Sequence, residues 1–312
     1  MQNPETIKTY NNALAFSLLS VAIAGTFFFV GNNKLNEEYE QQEEKYQKIQ
    51  ATLNSTEFVA KAISVYDITD SRKIYSKNDE AVLPIASIAK IMTVIEGLKG
   101  RTPEDIIYVS RDAVKQAGDF GMLANEKWKI GELAKATLVV SANDGAYALS
   151  ELGDNFLNNI NSKVRRLGAA NTIFANPTGL DIYNQSKEEI IGVGLPAQAG
   201  VVATAEDVNA MAAYGFKAYP EIFSATTLAE INIKSESGFE HNFKNTNTLI
   251  GKIPNLLFSK TGFTETAGGS LVIIFKDKNG HNIAVTVLGS TYDGRFVDME
   301  KIINVLLSKD VF

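Results

Sequence analysis

Three short groupings of Ser, Lys, Asn and Thr in this chain are suited to chemistry. They are Ser87-Ile88-Ala89-Lys90, Ser141-Ala142-Asn143 and Lys260-Thr261-Gly262. Chance gives about 1.5 Ser-x-x-Lys tetrads in a chain of this composition but only about 0.1 Lys-Thr-Gly triplets, so the third grouping carries the most weight. The Ser-x-x-Lys spacing would suit nucleophilic catalysis, in which the lysine amine removes the proton of the serine hydroxyl.

The tetrad predicts a nucleophile and its base on one helix. Residues three apart share a helix face, so Lys90 is expected one turn from Ser87. An ordinary Lys is protonated at neutral pH, and burial together with a second cation, which Lys260 could supply, would lower its pKa toward 7. Ser87 at a helix start would also place backbone N–H groups near a developing oxyanion. Taken alone, the tetrad favours the alternative of a surface Ser and Lys.

The composition excludes several other chemistries. The chain has no Cys, which excludes thiol nucleophiles, disulfides, thiolate zinc sites and iron–sulfur clusters. Its two histidines do not form a metal-binding motif: His241 lies in a polar stretch, and His281 follows the turn dipeptide Asn279-Gly280. The sequence therefore does not predict a metal site. A net charge of -6 argues against a nucleic-acid partner.

The elements that must position these residues are strands near both ends of the catalytic region and helices between them. Strands are predicted within 59–66, 73–75, 256–258, 271–275 and 282–288, with the last two as a hairpin. Helices are predicted over 87–98, 131–152, 155–167 and 297–307, and a capping pattern at 204–207 starts another. This order predicts one sheet assembled from distant segments, with a mostly helical insert at about 101–219.

The N-terminal segment predicts a membrane anchor. Thr9–Asn33 contains no charged side chain, and about 20 apolar residues at 1.5 Å each span a hydrocarbon core of roughly 30 Å. We predict a cytoplasmic tail at 1–12, a transmembrane helix at 13–31 and an extracytoplasmic catalytic domain. Ala22-Ile23-Ala24 leaves the alternative of a cleaved signal peptide, but the apolar run continues through Phe27–Val30.

A polar segment at 32–56 follows the predicted anchor. Its heptad-like positions alternate in steps of four and three: Leu35, Tyr39, Gln42, Tyr46, Ile49 and Leu53. The spacing predicts a helical stalk, and a solvated linker is an equal alternative because the pattern covers only three heptads. The catalytic domain is then expected at 57–312.

The groupings and their surroundings resemble the penicillin-binding serine D-alanyl-D-alanine carboxypeptidases, the low-molecular-weight DD-peptidases. The segments that carry the likeness are Leu83–Thr93, Ser141–Ala146, Asn176–Asp181, Asn245–Asn247, Ser259–Thr264 and Ala267-Gly268. The likeness extends in order over roughly 58–307. It implies an α+β fold, in which an antiparallel sheet is flanked by helices and carries the helical insert.

The resemblance implies catalytic roles for four residues. Ser87 would be the acylated nucleophile and Lys90 its general base. Ser141 and Asn143 would line the opposite wall, where they relay the proton to the leaving amine and hold the substrate amide. No metal or cofactor is implied.

The resemblance also implies five substrate-binding residues. Lys260 and Thr261 would bind the terminal carboxylate. Arg295 matches a family position that assists them, and an exposed, solubilising Arg is the alternative at this position. Gly262 would let the substrate lie close along the strand edge. The N–H of Phe263, with that of Ser87, would form the oxyanion hole. The family often has His or Tyr at the position of Phe263, so a polar side chain is replaced here while the backbone donor remains.

The implied function is removal of the terminal D-alanine from peptidoglycan stem peptides, with β-lactam antibiotics as covalent inhibitors. A β-lactamase or a DD-endopeptidase of the same superfamily is the alternative. A catalytically silent cell-wall binding or scaffold protein is the alternative from another class. The segment Gly192–Ala197 imitates a dinucleotide fingerprint, but it contains Pro196 and follows no convincing strand, so we interpret it as a loop.

Overall fold

The computed structural model describes residues 40–118, 120–182 and 198–308. Its main sheet is formed by β1 (Ala62–Asp67), β2 (Arg72–Lys77), β10 (Leu256–Thr264), β11 (Gly268–Lys276) and β12 (Asn282–Ser290). The strand order is β10-β11-β12-β1-β2, and every neighbouring pair is antiparallel. The pairing of β1 with β12 joins distant segments of the chain into one sheet, as the sequence predicted.

The sheet separates two apolar layers. On β11, Val272 and Ile274 pack into the core on one face, whereas Leu271 and Ile273 pack into the core on the other. Because successive side chains of a strand point to opposite faces, burial of both faces requires an almost continuous apolar run. The central strands are therefore mostly apolar, with Leu271–Phe275 of β11 as the longest apolar run and buried Ser64 and Thr286 as polar interruptions of β1 and β12.

Helices cover both faces of the sheet and fill the insert. They are α1 (residues 40–54), α2 (Lys90–Leu98), α3 (Ile130–Val139), α4 (Asn143–Ser150), α5 (Phe156–Arg166), α6 (Ala205–Ala218), α7 (Pro220–Ser224) and α8 (Gly294–Leu307). The cap predicted for α6 is confirmed, because the Thr204 side chain accepts a hydrogen bond from the Asp207 N–H at 3.0 Å.

Short strands pair outside the main sheet. They are β3 (Leu83–Pro84), β4 (Ile106–Tyr108), β5 (Lys127–Lys129), β6 (Ile173–Phe174), β7 (Val201–Ala203), β8 (Glu230–Lys234) and β9 (Glu240–Lys244). They form the sheets β3-β7-β6, β4-β5 and β8-β9. The sequence analysis did not predict the β8-β9 hairpin.

The single helix predicted over 131–152 is wrong. The structure ends α3 at Val139 and begins α4 at Asn143. Between them Ser141 has φ 66°, a left-handed conformation that interrupts a right-handed helix. The apolar periodicity continues across the break because both helices pack on the same core. The break places Ser141 and Asn143 at a junction rather than in a helix interior.

The strand predicted at 256–258 is too short. β10 continues through Ser259, Lys260 and Thr261, all of which are buried, to Thr264. The predicted strand ended before the polar residues of the third grouping. The third grouping therefore lies within an edge strand of the main sheet and not at its end.

Part of the expected stalk packs against the catalytic region. In α1, Tyr46, Ile49 and Leu53 are buried in the core beneath the sheet. Gln50 Nε2 also donates to the Ile74 carbonyl at 2.8 Å. The heptad-like spacing thus forms a helix, but its apolar side contacts the sheet. For residues 40–54 the alternative of a solvated linker is wrong.

Within residues 40–118, 120–182 and 198–308, no helix has the length and apolar character needed to cross a membrane. The predicted tail at 1–12 and anchor at 13–31 lie outside the described residues, as do the first residues of the predicted stalk. The Gly192–Ala197 segment lies outside them as well.

Truncating the buried side of α1 is expected to destabilise the whole domain. Leu53 is 0% exposed, so Leu53→Ala should lower the free energy of unfolding by about 2–5 kcal/mol. Lys48→Ala, on the exposed side of the same helix, should change it by less than about 0.5 kcal/mol. Urea unfolding followed by circular dichroism measures both. Equal small effects would show that α1 does not contribute to the domain core.

Candidate active site

The first grouping spans the junction of two helices. Ser87 lies in a short 3-10 helix, Ala86–Ala89, and Lys90 is the first residue of α2. Lys90 Nζ lies 2.6 Å from Ser87 Oγ, and it donates a hydrogen bond to the Thr178 carbonyl at 2.8 Å. Ala86 has φ 49°, an uncommon conformation for a residue with a side chain. The local fold thus holds the hydroxyl and the amine in direct contact.

The amine of Lys90 is in an environment that favours its neutral form. Its side chain is 0% exposed, and burial lowers the pKa of Lys90 from 10.5 to about 7, with the Asp144 carboxylate opposing the shift. Desolvation is the main cause of the lowered pKa, rather than the second cation expected from the sequence. A neutral amine beside a hydroxyl can accept its proton.

The second and third groupings meet through a hydrogen bond. Lys260 Nζ donates to Ser141 Oγ at 2.9 Å and to the Thr261 carbonyl at 2.9 Å. Burial holds the pKa of Lys260 well below its usual value, and the positive charges of Lys90 and Arg295 lower it further. The two buried lysines therefore lie close enough for the charge of one to disfavour the charge of the other.

Asn143 contributes an unused acceptor. It is the first residue of α4, and its Nδ2 donates to the Ala117 carbonyl at 2.7 Å. Its Oδ1 is buried and has no hydrogen-bond partner among the described residues. Because buried polar atoms are nearly always paired, this oxygen is available to an N–H donor that enters the site.

Gly262 also has a packing role that the sequence did not predict. A Cβ at this position would lie 2.6 Å from the Ile85 carbonyl oxygen and 3.3 Å from the Ala86 side chain. The residue must therefore be Gly because the segment before Ser87 packs tightly against β10, whether or not a substrate is bound. This close packing holds β10 beside the nucleophile.

The remaining predicted residues lie on the far part of β10 or beside it. Thr261 follows Lys260 in the strand and is buried. Arg295, on α8, is 3% exposed, and its Nη1 donates to the Gly262 carbonyl at 2.7 Å. No carboxylate of the described residues lies within 4.0 Å of the Arg295 guanidinium. Phe263 is 42% exposed, and β10 has a neighbour on only one side in the main sheet.

Three supporting residues had no role in the sequence analysis. Thr178 offers its carbonyl to Lys90, and Asn176 Oδ1 accepts the N–H groups of Thr178 and Gly179 at 3.2 and 2.7 Å. Thr246 Oγ1 lies 2.6 Å from Thr261 Oγ1. These residues lie in segments that carry part of the family resemblance, and this was the one feature of the sequence that could have identified them. Their contacts become visible only in the folded chain.

Acylation of the site is expected to depend on pH through Lys90. With a pKa of about 7, the second-order rate of acylation by a penicillin should rise about tenfold per unit below pH 7 and level off above it. The sign follows because only the neutral amine accepts a proton. Rates measured with a fluorescent penicillin from about pH 5 to 9 test this. A rate still climbing steeply at pH 9 would indicate an unperturbed lysine.

The fold and the paired hydroxyl–amine groups define a serine DD-peptidase type of site, and comparisons with known proteins agree. Residues 48–291 match peptidase family S11, described as D-alanyl-D-alanine carboxypeptidase. This chain therefore belongs to that family.

Relatives and solved structures support the same assignment. The chain is 28% identical over 231 residues to the D-alanyl-D-alanine endopeptidase of Escherichia coli, covering 71% of this chain and 69% of the relative. It is 28% identical over 260 residues to the D-alanyl-D-alanine carboxypeptidase DacF of Bacillus subtilis, covering 80% and 62%. Ampicillin-bound penicillin-binding protein D2 of Listeria monocytogenes superimposes with a TM-score of 0.64 and 26% identity, covering 80% of this chain and 98% of that one. The chain thus spans less than two thirds of the DacF relative.

Proposed function

We propose that this chain is a serine-type D-Ala-D-Ala carboxypeptidase that removes the terminal D-alanine from peptidoglycan stem peptides. The observation that carries the proposal is the 2.6 Å approach of the buried Lys90 amine to Ser87 Oγ. Family membership supplies the reaction class, and the positively charged end of the site supplies the preference for a free terminal carboxylate.

The proposed acylation is a proton-coupled attack. Neutral Lys90 accepts the Ser87 proton while Oγ forms a bond to the carbonyl carbon of the penultimate residue. The developing oxyanion is stabilised by the backbone N–H groups of Ser87 and Phe263. The C–N bond then breaks, and Ser141, which is hydrogen-bonded to Lys260, relays the proton to the leaving amine.

Deacylation uses the same groups in reverse. Lys90 removes a proton from a water molecule, which attacks the ester, and Ser87 Oγ leaves and regains its proton. Throughout, the unpaired Asn143 Oδ1 accepts an amide N–H of the peptide. The substrate backbone lies along the open edge of β10 as an additional strand.

The charged end of the site is suited to a carboxylate. Lys260 and Arg295 are buried, and Arg295 has no carboxylate partner among the described residues. Burial of the Arg295 cation is costly, and an anionic ligand would offset that cost and favour the protonated form of Lys260. Thr261 adds a hydroxyl beside them.

Release of D-alanine distinguishes the proposed activity from endopeptidase cleavage. A stem pentapeptide ending in D-Ala-D-Ala and a cross-linked dimer of tetrapeptide stems are incubated separately with the full chain. The proposal expects free D-alanine from the pentapeptide at a kcat/KM at least about tenfold above that for dimer cleavage. Dimer cleavage without D-alanine release would support the endopeptidase, which is the named activity of the E. coli relative.

We also propose that β-lactams acylate Ser87 and are released slowly. The Listeria protein named above was solved with ampicillin bound, and it shares the fold. Intact mass of the protein after mixing with a penicillin tests the proposal. An adduct that persists for minutes or longer supports a penicillin-binding protein, whereas rapid turnover would support a β-lactamase.

We further propose that residues 13–31 anchor the chain in the cytoplasmic membrane, with the catalytic domain on the extracytoplasmic side. The support is the uncharged apolar length of this segment. Membrane fractionation of the full chain and of a variant lacking residues 1–31 tests it. Recovery of the full chain in the soluble fraction, or a mature mass that lacks the segment, would contradict a retained anchor.

A further inference from the structure

Two large aromatic side chains face solvent beside the candidate active site. Phe263, on β10, is 42% exposed and Tyr292, which precedes α8, is 55% exposed. Their ring centroids are 5.1 Å apart in an edge-to-face arrangement. We call Phe263 and Tyr292 the aromatic ledge. The two rings order each other but leave apolar area that a ligand can cover.

The aromatic ledge adjoins an incompletely satisfied cation. The Arg295 guanidinium carbon lies 4.5 Å from the Tyr292 ring centroid and 4.7 Å from that of Phe296. Its Nη1 bonds to the Gly262 carbonyl, yet its Nε is buried without a hydrogen-bond partner among the described residues. Tyr292 and the Asp293 carboxylate interact favourably with the guanidinium, but no carboxylate oxygen of the described residues is paired with it within 4.0 Å and its Nε stays without a partner, so an anionic group of a ligand can complete the arrangement.

From this geometry we infer that the aromatic ledge contacts the side chain of the residue that the reaction releases. The inference rests on the proposed function. In the proposed mechanism the scissile carbonyl lies at the Phe263 N–H and the terminal carboxylate lies toward Arg295. The released residue spans the distance between these groups; the Phe263 ring belongs to the residue at one end, and the Tyr292 ring contacts both Phe263 and Arg295. The aromatic ledge therefore selects an apolar D-amino acid as the released residue.

The aromatic ledge must also contact an amino acid whose amine attacks the acyl-enzyme in place of water. Since the forward and reverse paths share one transition state, an amino acid that attacks the acyl-enzyme occupies the position of the released residue. Its nitrogen forms the new amide bond, the bond to Ser87 Oγ breaks, and the amine proton returns through Ser141 and Lys90 to Ser87. A fully buried methyl group is worth about 0.8 kcal/mol, equal to about a fourfold preference for D-alanine over glycine.

The test separates contact with this residue from general damage to the site. The full chain is acylated with a thioester of N-acyl-D-alanine, which carries no leaving amino acid, in the presence of D-alanine or glycine. Amide products are quantified by mass spectrometry. We expect the wild type to favour D-alanine about fourfold, and Tyr292→Ala and Phe263→Ala to bring the ratio near one. Phe263→Leu should retain an intermediate ratio because an apolar surface remains.

A nearby exposed residue serves as the control. Val297, on α8, is 49% exposed and lies outside the aromatic ledge, so Val297→Ala should keep the wild-type ratio. If Tyr292→Ala lowers the rates of amide formation with D-alanine and with glycine equally, the Tyr292 ring only supports Arg295 and the inference is overturned. An unchanged ratio in both ledge variants overturns it too.

Failure of the proposed function gives a different pattern. A wild type that forms amide products from the thioester but releases no D-alanine from the pentapeptide contradicts carboxypeptidase activity, while the acceptor ratio still tests the aromatic ledge. A wild type that the thioester does not acylate contradicts both proposals.

Discussion

Replacing Ser87 by alanine is expected to abolish covalent labelling by a fluorescent penicillin, with a loss of at least about 10³-fold in the acylation rate. The reason is chemical: no bond to the carbonyl carbon can form without the Oγ atom. The fold should be retained, because the Ser87 side chain contacts Lys90 at the surface of the site and removal of one hydroxyl leaves the apolar core intact. Gel fluorescence measures the label, and thermal melting verifies folding.

The control for this experiment is a second serine of the chain. Ser76, on β2, begins the other Ser-x-Asn triplet, Ser76-Lys77-Asn78, and it is exposed. Ser76→Ala should label like the wild type. Equal labelling of Ser87→Ala and the wild type would show that another residue is the nucleophile. Absence of label in a folded wild type would support the silent scaffold protein.

Local spacing predicted the contact between Ser87 and Lys90 because both residues lie within one turn. Within a helix, residues three apart lie close together on one face, and this proximity does not depend on the rest of the fold. The structure adds that the pair spans a 3-10 helix and α2, a detail that the helical periodicity over 87–98 does not distinguish. Short-range contacts of this kind can be read from sequence.

Contacts between distant segments could be predicted only through the resemblance. Lys260 and Ser141 are 119 residues apart, and their hydrogen bond depends on β10 packing beside the break between α3 and α4. That break was missed because the apolar pattern is continuous across it. The left-handed conformation of Ser141 does not change the spacing of apolar residues. Hydrophobic periodicity indicates which side of an element faces the core, but it does not show where the element is interrupted.

The predicted stalk illustrates a further limit. Tyr46, Ile49 and Leu53 show helical spacing, and the structure confirms a helix, but the same spacing suits a coiled coil and a helix packed on a sheet. The whole fold determines which surface the apolar side of a helix contacts, so the helix sequence alone does not predict it. Arg295 and Tyr292 show the same limit, since their ring–guanidinium contact becomes visible only when α8 is placed beside β10.

Replacing Lys90 by methionine is expected to reduce acylation about 10²- to 10⁴-fold, the range typical of removing a general base. Methionine retains most of the side-chain volume but has no amine to accept the Ser87 proton. Since Lys90 is 0% exposed, the variant should fold at least as stably as the wild type, because an apolar side chain replaces a buried polar one. The measurements are the second-order rate of acylation by a fluorescent penicillin and the melting temperature.

Two further lysine variants test whether the loss of acylation is specific to position 90 and to proton acceptance. Lys99→Met changes a lysine that is 55% exposed just after α2, and it should leave the acylation rate unchanged. Lys90→Arg keeps a hydrogen-bond donor near Ser87 Oγ but stays protonated, so it should be as slow as Lys90→Met if proton acceptance is the function of Lys90. If Lys90→Arg acylated at the wild-type rate, donation of a hydrogen bond would suffice and the base would have to be another group. A near-normal rate for a folded Lys90→Met variant would remove Lys90 from the proposed mechanism altogether.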